Sequence, residues 1–229
     1  MYVPNYIPEP LEVPANVTFA PYRARVRFIK RVTALHLVSL TLLASYASAV
    51  SASPNWFLPA MVLLSLFLLL DLGRILLRGK PVEALLSSLS LRIVLVSAAW
   101  LGSSLASAGV PVEFVLAGPA ACGIYTLCCG RDYSFVGCFL LSLILSSTVL
   151  AAIAIQLRMR AGLAACGLGL NAAYLTYFVY DLASLMARRR EGEELAAVVD
   201  LYRDVLNVFG YLVRVVGHWK RHRIWVPPK

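Results

Sequence analysis

The chain alternates between long apolar runs and short polar connections. Six runs are twenty residues or longer, and they lie at 33–53, 57–77, 84–107, 110–129, 134–156 and 162–185. A helix needs about 20 largely apolar residues to cross the hydrocarbon core of a bilayer. Only helices and closed barrels satisfy their backbone hydrogen bonds in lipid, and the alternating pattern of barrel strands is absent. The pattern therefore predicts an all-α integral membrane protein, a bundle of six to seven transmembrane helices.

A seventh run, 196–217, differs because polar side chains interrupt it at helical spacing. Asp200, Asp204 and Asn207 fall on one face, and mostly apolar side chains supply the rest. A helix that faces lipid would not tolerate such a stripe. The run is therefore predicted either to lie in the interface as an amphipathic helix or to be a semi-polar last helix at the centre of the bundle. The charges leave open whether it spans fully or is re-entrant.

Composition supports a membrane protein. The 229 residues are 60% hydrophobic and 14% charged, whereas an average soluble domain is about 25% charged, and the mean hydropathy is +0.75. Prolines are frequent before residue 22. We predict a Pro-rich disordered cytosolic tail over 1–22, the helical bundle over 23–217 and a basic carboxyl-terminal tail over 218–229.

The net charge of +9 comes largely from basic residues at the ends of the apolar runs. They concentrate at 23–31, 78–80 and 188–190. Loops rich in Lys and Arg stay on the cytosolic side, and 107–113 contains neither. We therefore predict that the amino terminus and 188–190 are cytosolic, although Arg158 and Arg160 depart from the pattern. This distribution indicates membrane lipids, and not nucleic acid, as the partner of the basic residues.

Two acids stand near the ends of the last two runs. Asp181 ends the motif YFVYD and Asp204 ends LYRD, and the loop RRREGEE lets the two helices fold back side by side. Two carboxylates close together in a low-dielectric site raise one pKa and share a proton. Such a pair can cleave a bond, latch two helices or bind a divalent cation such as Ca²⁺. The alternative is a pair of interfacial carboxylates with no shared task.

An arginine inside an apolar run is a candidate counter-ion for a buried acid. In the second run Asp71 precedes Arg74 by three residues, a spacing that favours a pair on one helix face. Arg92 lies inside the third run, where an arginine is costly unless it faces protein or water. We predict that Arg92 faces the bundle interior; the alternative is a structural or snorkelling arginine.

The sequence around the two acids resembles the end of the transmembrane BAX inhibitor motif family, also called Bax-inhibitor or Lifeguard proteins. The family pattern is a helix ending in Tyr-Asp, then Leu-Tyr-x-Asp-x-x-Asn-x-Phe and a Leu/Arg-rich stretch. The matching positions here are Tyr180, Asp181, Leu201, Tyr202, Asp204, Asn207, Phe209 and Arg214. The lead RARVRFIKRVTALHLVSL at 23–40 is also similar, with Ser39 where Gln is usual. The middle of the chain, 55–160, agrees only in hydropathy.

The resemblance implies a pH-sensitive, calcium-permeable leak channel that modulates ion homeostasis and cell death. It implies an endoplasmic reticulum, Golgi or other endomembrane location, or a bacterial plasma membrane; diverged members also occur in large DNA viruses. In the family the acids that correspond to Asp181 and Asp204 form a pH-sensitive latch, helped by an arginine near the end of the second helix, for which Arg74 and Arg78 are the candidates by position. We predict that the two acids share a proton in the closed state and separate by repulsion as the pH rises, with Tyr180, Asp200 and Asn207 beside the ion pathway. Ca²⁺ would be a permeant or transiently bound ion on the two acids, and no resident cofactor is expected.

Two other functions compete with a channel. A non-conducting protein that binds other membrane proteins, such as host or cellular receptors, needs the same bundle. An intramembrane aspartyl protease also places two acids on neighbouring helices, but its second acid sits in Gly-x-Gly-Asp and a Pro-Ala-Leu segment follows. Here the bulky Tyr202 and Arg203 precede Asp204, and no Pro-Ala-Leu segment is present. We therefore predict that the chain is not an enzyme.

Overall fold

The computed structural model describes residues 13–49, 55, 57–107, 113–129 and 133–206. Seven α-helices and no strand occur in these ranges: α1 Tyr22–Ala49, α2 Phe57–Leu76, α3 Val82–Ser107, α4 Glu113–Cys128, α5 Phe135–Gln156, α6 Ala161–Arg188 and α7 Glu194–Leu206. A short 3-10 helix, Val17–Phe19, precedes α1. The all-α class that the apolar runs predict is confirmed.

Five of these helices, α1, α2, α3, α5 and α6, are long and apolar enough to cross a membrane. The helix α4 is shorter, with 16 residues that include Pro119, and the described part of α7 has 13 residues. Large apolar side chains lie on the outer faces of the bundle, among them Leu69, Ile144 and Leu170. Such an apolar exterior suits lipid and not water, so the chain is a multi-pass membrane protein.

Contacts between distant segments align one end of the bundle. The Arg31 guanidinium donates to Glu194 Oε1 at 3.2 Å, and Arg189 Nη1 donates to Glu83 Oε1 at 2.6 Å. The beginnings of α1, α3 and α7 therefore lie together with the end of α6. We call this the basic end; its basic residues are those of 23–31, 78–80 and 188–190.

The helix α7 enters the bundle from the basic end and packs against α1, α3 and α6. Each residue from Ala196 to Tyr202 is 9% exposed or less. The Tyr202 hydroxyl makes a 2.7 Å hydrogen bond with Ser39 Oγ, well inside α1. The described part of this semi-polar helix therefore lies at the centre of the bundle, and the amphipathic interfacial helix is excluded for it. The rest of the predicted run lies outside the described residues.

The last residues of the predicted disordered tail are ordered. The Val17 N–H donates to the carbonyl oxygen of Arg189 at 2.9 Å, and the Val13 N–H donates to that of Ala187 at 3.3 Å. The Val17 side chain is buried, and its 3-10 helix packs against α1 and α6. The prediction for 1–22 is therefore wrong for 13–21, because an apolar side chain and two backbone hydrogen bonds attach this segment to the end of α6.

Gly118 on α4 marks a close contact with α6. A Cβ there would lie 2.5 Å from Asn171 Oδ1, and Asn171 Nδ2 donates to Ser146 Oγ at 2.8 Å. We expect Gly118→Ala to lower the free energy of unfolding by about 1–3 kcal/mol, because overpacking displaces Asn171 from its partner. In the control Gly169→Ala, the new Cβ meets nothing within 4 Å. Equal melting temperatures for the two variants in detergent would contradict this contact.

Candidate functional site

At the basic end, charged side chains from four helices converge inside the bundle. We call this group the ionic cluster. Its members are Asp71 and Arg74 of α2, Glu83 of α3, Asp181 and Arg188 of α6, Arg189 directly after α6, and Asp200, Arg203 and Asp204 of α7. All except Arg203 are buried. Burying so much charge is tolerated only when every charge is paired, because desolvation of an unpaired ion costs several kcal/mol.

One guanidinium connects the two acids that the sequence singled out. Arg188 Nη1 donates to Asp204 Oδ2 at 2.6 Å, and Arg188 Nη2 donates to Asp181 Oδ1. Ser184 Oγ accepts from Arg188 Nη2 at 2.8 Å and donates to Asp181 Oδ1 at 3.0 Å. Asp181, Ser184 and Arg188 can meet because positions i, i+3 and i+7 of a helix share one face. Arg188 therefore links the end of α6 to α7.

The Arg188 bridge changes the conditions under which the Asp181 and Asp204 carboxylates can lie close together. A positive charge between two carboxylates allows both to be ionised, since each gains a charge-assisted hydrogen bond. The shared proton between Asp181 and Asp204 stays a prediction, and the bridged arrangement does not need it. The calcium site on these two acids also stays a prediction. Arg188 nitrogens lie against an oxygen of each carboxylate, so Ca²⁺ would have to compete with the arginine for them.

A second junction surrounds Asp200. Its Oδ1 accepts from Arg74 Nη2 at 2.5 Å, and its Oδ2 accepts from Arg189 Nε at 2.6 Å. Arg203 Nη1 lies 3.2 Å from Asp200 Oδ1. Burial alone would raise the pKa of Asp200, but the Arg189, Arg203 and Arg74 guanidinium groups outweigh it and hold that pKa well below its usual range. Asp200 is therefore ionised at neutral pH and ties α7 to α2 and to the end of α6.

The predicted pair of Asp71 and Arg74 is confirmed and is part of this junction. Arg74 Nη2 donates to Asp71 Oδ1 at 2.6 Å, and Arg74 Nη1 donates to the Ala196 carbonyl oxygen at 2.9 Å. Arg74 is only 1% exposed. Of the three candidate counter-ions, Arg74 is the one whose guanidinium contacts acids of the ionic cluster. These acids are Asp71 and Asp200, and not the predicted pair of Asp181 and Asp204.

Arg78 has a different role from the one considered for it. Its Nη2 donates to the carbonyl oxygen of Arg188, the last residue of α6. The final carbonyl groups of a helix have no intrahelical partner, so a basic side chain is a favourable cap there. Arg78 therefore supports the residue that bridges Asp181 and Asp204.

The prediction that Arg92 faces the bundle interior is wrong. Arg92 lies on the exposed face of α3 with Leu85, Leu89 and Val96. The buried positions of α3 include the serines at 87, 90 and 97, which let neighbouring helices approach closely. The sequence shows how deep Arg92 lies in the apolar run. Which face of α3 turns toward the bundle depends instead on these small serines, and Arg92 lies on another face.

Tyr180 and Asn207 are the two remaining residues of the predicted ion pathway. Tyr180 is half-buried on α6, directly before Asp181. Asn207 lies outside the described residues, as do Phe209 and Arg214 of the family motif.

Sequence reasoning missed Arg188, Arg189 and Glu83. The first two belong to a basic run that was assigned to a cytosolic flank, yet both are buried and Arg190 alone is exposed. The available signal was the spacing of Asp181, Ser184 and Arg188 along one helix face. For Glu83 the sequence offers no such signal, because its partner Arg189 is 106 residues away.

A line of polar and aromatic side chains continues from the cluster toward the middle of the bundle. Tyr202 of α7 contacts Ser39 through its hydroxyl and lies against the His36 ring, with ring centroids 5.2 Å apart. His36 Nε2 forms a 2.9 Å hydrogen bond with the Tyr174 hydroxyl. Polar groups inside a membrane bundle are costly and typically mark functional sites, and this line extends the cluster along α1, α6 and α7.

In the part of the chain that the structure describes, no three His, Cys, Asp or Glu side chains are grouped as metal ligands. The contacts of the ionic cluster are arginine–carboxylate pairs between helices. Such pairs can hold α7 in place and can be weakened by protons or by competing cations.

No family model, no curated protein and no solved structure matches this chain. The resemblance to the transmembrane BAX inhibitor motif family is therefore one of sequence motifs alone, at 23–40, 177–185 and 201–217.

Proposed function

We propose that this multi-pass membrane protein is a cation-permeable leak channel, related to the transmembrane BAX inhibitor motif family, whose pathway is closed at the basic end by the ionic cluster. The observation that carries the proposal is the single Arg188 guanidinium held between Asp181 of α6 and Asp204 of α7. Ionisable groups buried in a membrane bundle typically line ion or proton pathways.

The bridge suits a gate because it is an ionic contact between α6 and α7 that protons or cations can weaken. The α7 side chains at 196–199 are only Ala and Val, which pack closely in the bundle without polar contacts of their own. The ionic contacts of Asp200 and Asp204 act together with this packing and with the 2.5 Å hydrogen bond from the Tyr177 hydroxyl to the Leu201 carbonyl oxygen to position α7 against α2 and α6. When Arg188 leaves, the Asp181 and Asp204 carboxylates become oxygen ligands for a passing hard cation such as Ca²⁺.

The arginine also sets the sign of the pH response. Guanidinium attracts a carboxylate and gains little from a neutral carboxylic acid, so an arginine–carboxylate bridge weakens in acid. Two acids facing each other without an arginine would respond in the opposite way. In this proposal the leak increases on acidification.

Calcium flux in liposomes tests the proposal. Purified protein is reconstituted around a calcium-sensitive dye, and the initial rate of dye response to external Ca²⁺ is measured from about pH 7 down to about pH 3, a range that extends below the ordinary carboxyl pKa of about 4. We expect the parent leak to rise on acidification, and the double variant Asp181→Asn, Asp204→Asn to leak at a rate that no longer depends on pH.

The matched control is Glu191→Gln, which removes an exposed acid at the same end of the bundle and should keep the parent profile. Absence of flux above empty liposomes at every pH, in protein with normal melting, would reject the channel. A pH profile unchanged in the double Asn variant would reject the bridge as the sensor while leaving conduction intact.

A second candidate function is a non-conducting protein that binds other membrane proteins. The observation that favours it is the exposed Arg92 on the outside of α3. An intramembrane aspartyl protease is less well supported, because Arg188 lies between the two acids where a catalytic water would have to be activated.

A further inference from the structure

Arg92 is an arginine on the outer surface of a membrane-spanning helix. The spanning part of α3 runs from Val82 to Trp100, so Arg92 lies ten residues after its start and eight before its end. Its side chain is exposed, and within the described residues it has no hydrogen bond or ion pair. The guanidinium is therefore directed away from the bundle at mid-membrane depth.

The surroundings of Arg92 on this face are apolar. Leu85, Leu89 and Val96 are exposed on the same side of α3, at 61%, 38% and 39%. An arginine near a helix end can bend its head group to the interface, but Arg92 is far from both ends of the span. A charge in hydrocarbon is costly, so intramembrane arginines usually find an acid, backbone carbonyl groups or water.

We propose that this face of α3, formed by Leu85, Leu89, Arg92 and Val96, docks a transmembrane helix of another protein that carries an Asp or Glu near its middle. A carboxylate supplies the charge and the two acceptor oxygens that a planar guanidinium binds in a bidentate manner. The apolar side chains above and below Arg92 would pack against the rest of the partner helix.

A second copy of this chain is a poor occupant of the face. Among the described residues of the spanning helices, Asp71, Glu83 and Asp181 are the acids, and all three are buried. A homodimer through α3 would therefore place arginine beside arginine or against apolar side chains. The negative charge that would pair with Arg92 therefore has to come from a different membrane protein. This inference does not depend on ion conduction.

Binding of designed peptides tests the docking face. The full-length protein carries a donor fluorophore and is reconstituted in neutral phosphatidylcholine vesicles, and acceptor-labelled Leu-rich transmembrane peptides carry a single central Asp or, as the reference, Leu. We expect the Asp peptide to bind roughly 5- to 30-fold more tightly than the Leu peptide, the range that interhelical polar contacts give in model peptides.

Variants assign this preference to Arg92. Arg92→Leu should bind both peptides equally, Arg92→Lys should keep a smaller preference, and Arg92→Glu should prefer a peptide with a central Lys. The control Arg160→Leu removes an exposed arginine outside the spanning helices and should keep the parent preference. Equal binding of Asp and Leu peptides by the parent would overturn the proposal, as would a preference that survives in Arg92→Leu. Calcium flux is measured on the same vesicles, so failure of docking and failure of conduction are told apart.

Discussion

Replacing Arg188 by Gln is expected to lower the free energy of unfolding by about 3–5 kcal/mol, the cost of removing one partner from a buried ionic contact. Without the guanidinium, Asp181 and Asp204 lose their hydrogen bonds to Arg188 and face each other as buried carboxylates. Glutamine keeps much of the side-chain volume, so the effect reports the charge and not a cavity. Thermal unfolding in detergent at neutral pH provides the measurement.

The chain supplies a matched control two residues later. Arg190 is exposed and donates from Nε to the Pro14 carbonyl oxygen at 3.3 Å, so Arg190→Gln should change stability by less than about 0.5 kcal/mol. Adding Asp181→Asn and Asp204→Asn to Arg188→Gln should recover part of the loss, because residues of one network are strongly coupled. Equal effects of the Arg188 and Arg190 variants, or no recovery in the triple variant, would contradict the bridge.

Apolar run length was enough to predict the helices, because the number of apolar residues needed to cross a bilayer is set by its thickness. The stripe of Asp200 and Asp204 was enough to restrict where the last helix can lie, since a lipid-facing helix would expose two acids. The first helix starts at Tyr22, earlier than its apolar run at 33–53 suggests. Its basic beginning continues the same helix past the apolar span.

The direction of individual side chains was not available from the sequence. Hydropathy gives the depth of a residue in a helix, whereas its face depends on which positions let neighbouring helices approach. On α3 those positions are serines, so Arg92 points outward although its depth suggested an interior role. The end of α6 shows the reverse case, in which residues expected at the surface are buried. The basic run 188–190 is typical of a cytosolic flank, yet Arg188 and Arg189 point into the bundle and pair with acids of α7 and α3.

Replacing Asp200 by Asn should be as damaging as loss of Arg188, at about 3–5 kcal/mol. Asp200 accepts from Arg74 and Arg189 and lies beside Arg203, so the neutral variant leaves three guanidinium groups close together with less negative charge. Glu191→Gln is the control, since its partner Arg27 is 3.8 Å away and both side chains are about half exposed. Such surface pairs contribute about 0–1 kcal/mol.

The pH dependence of the Asp200 effect separates ionic pairing from packing. The pKa of Asp200 is lower in the folded protein than its unfolded value of about 3.9. Its stabilising contribution is therefore fully present above that value and is lost only as the pH falls below it. The difference in melting temperature between the parent and Asp200→Asn should stay constant from about pH 8 to about pH 5 and shrink below about pH 4. A difference that already narrows between about pH 8 and pH 6, or that persists unchanged in acid, would show that Asp200 does not stabilise α7 as an ionised partner of these arginines.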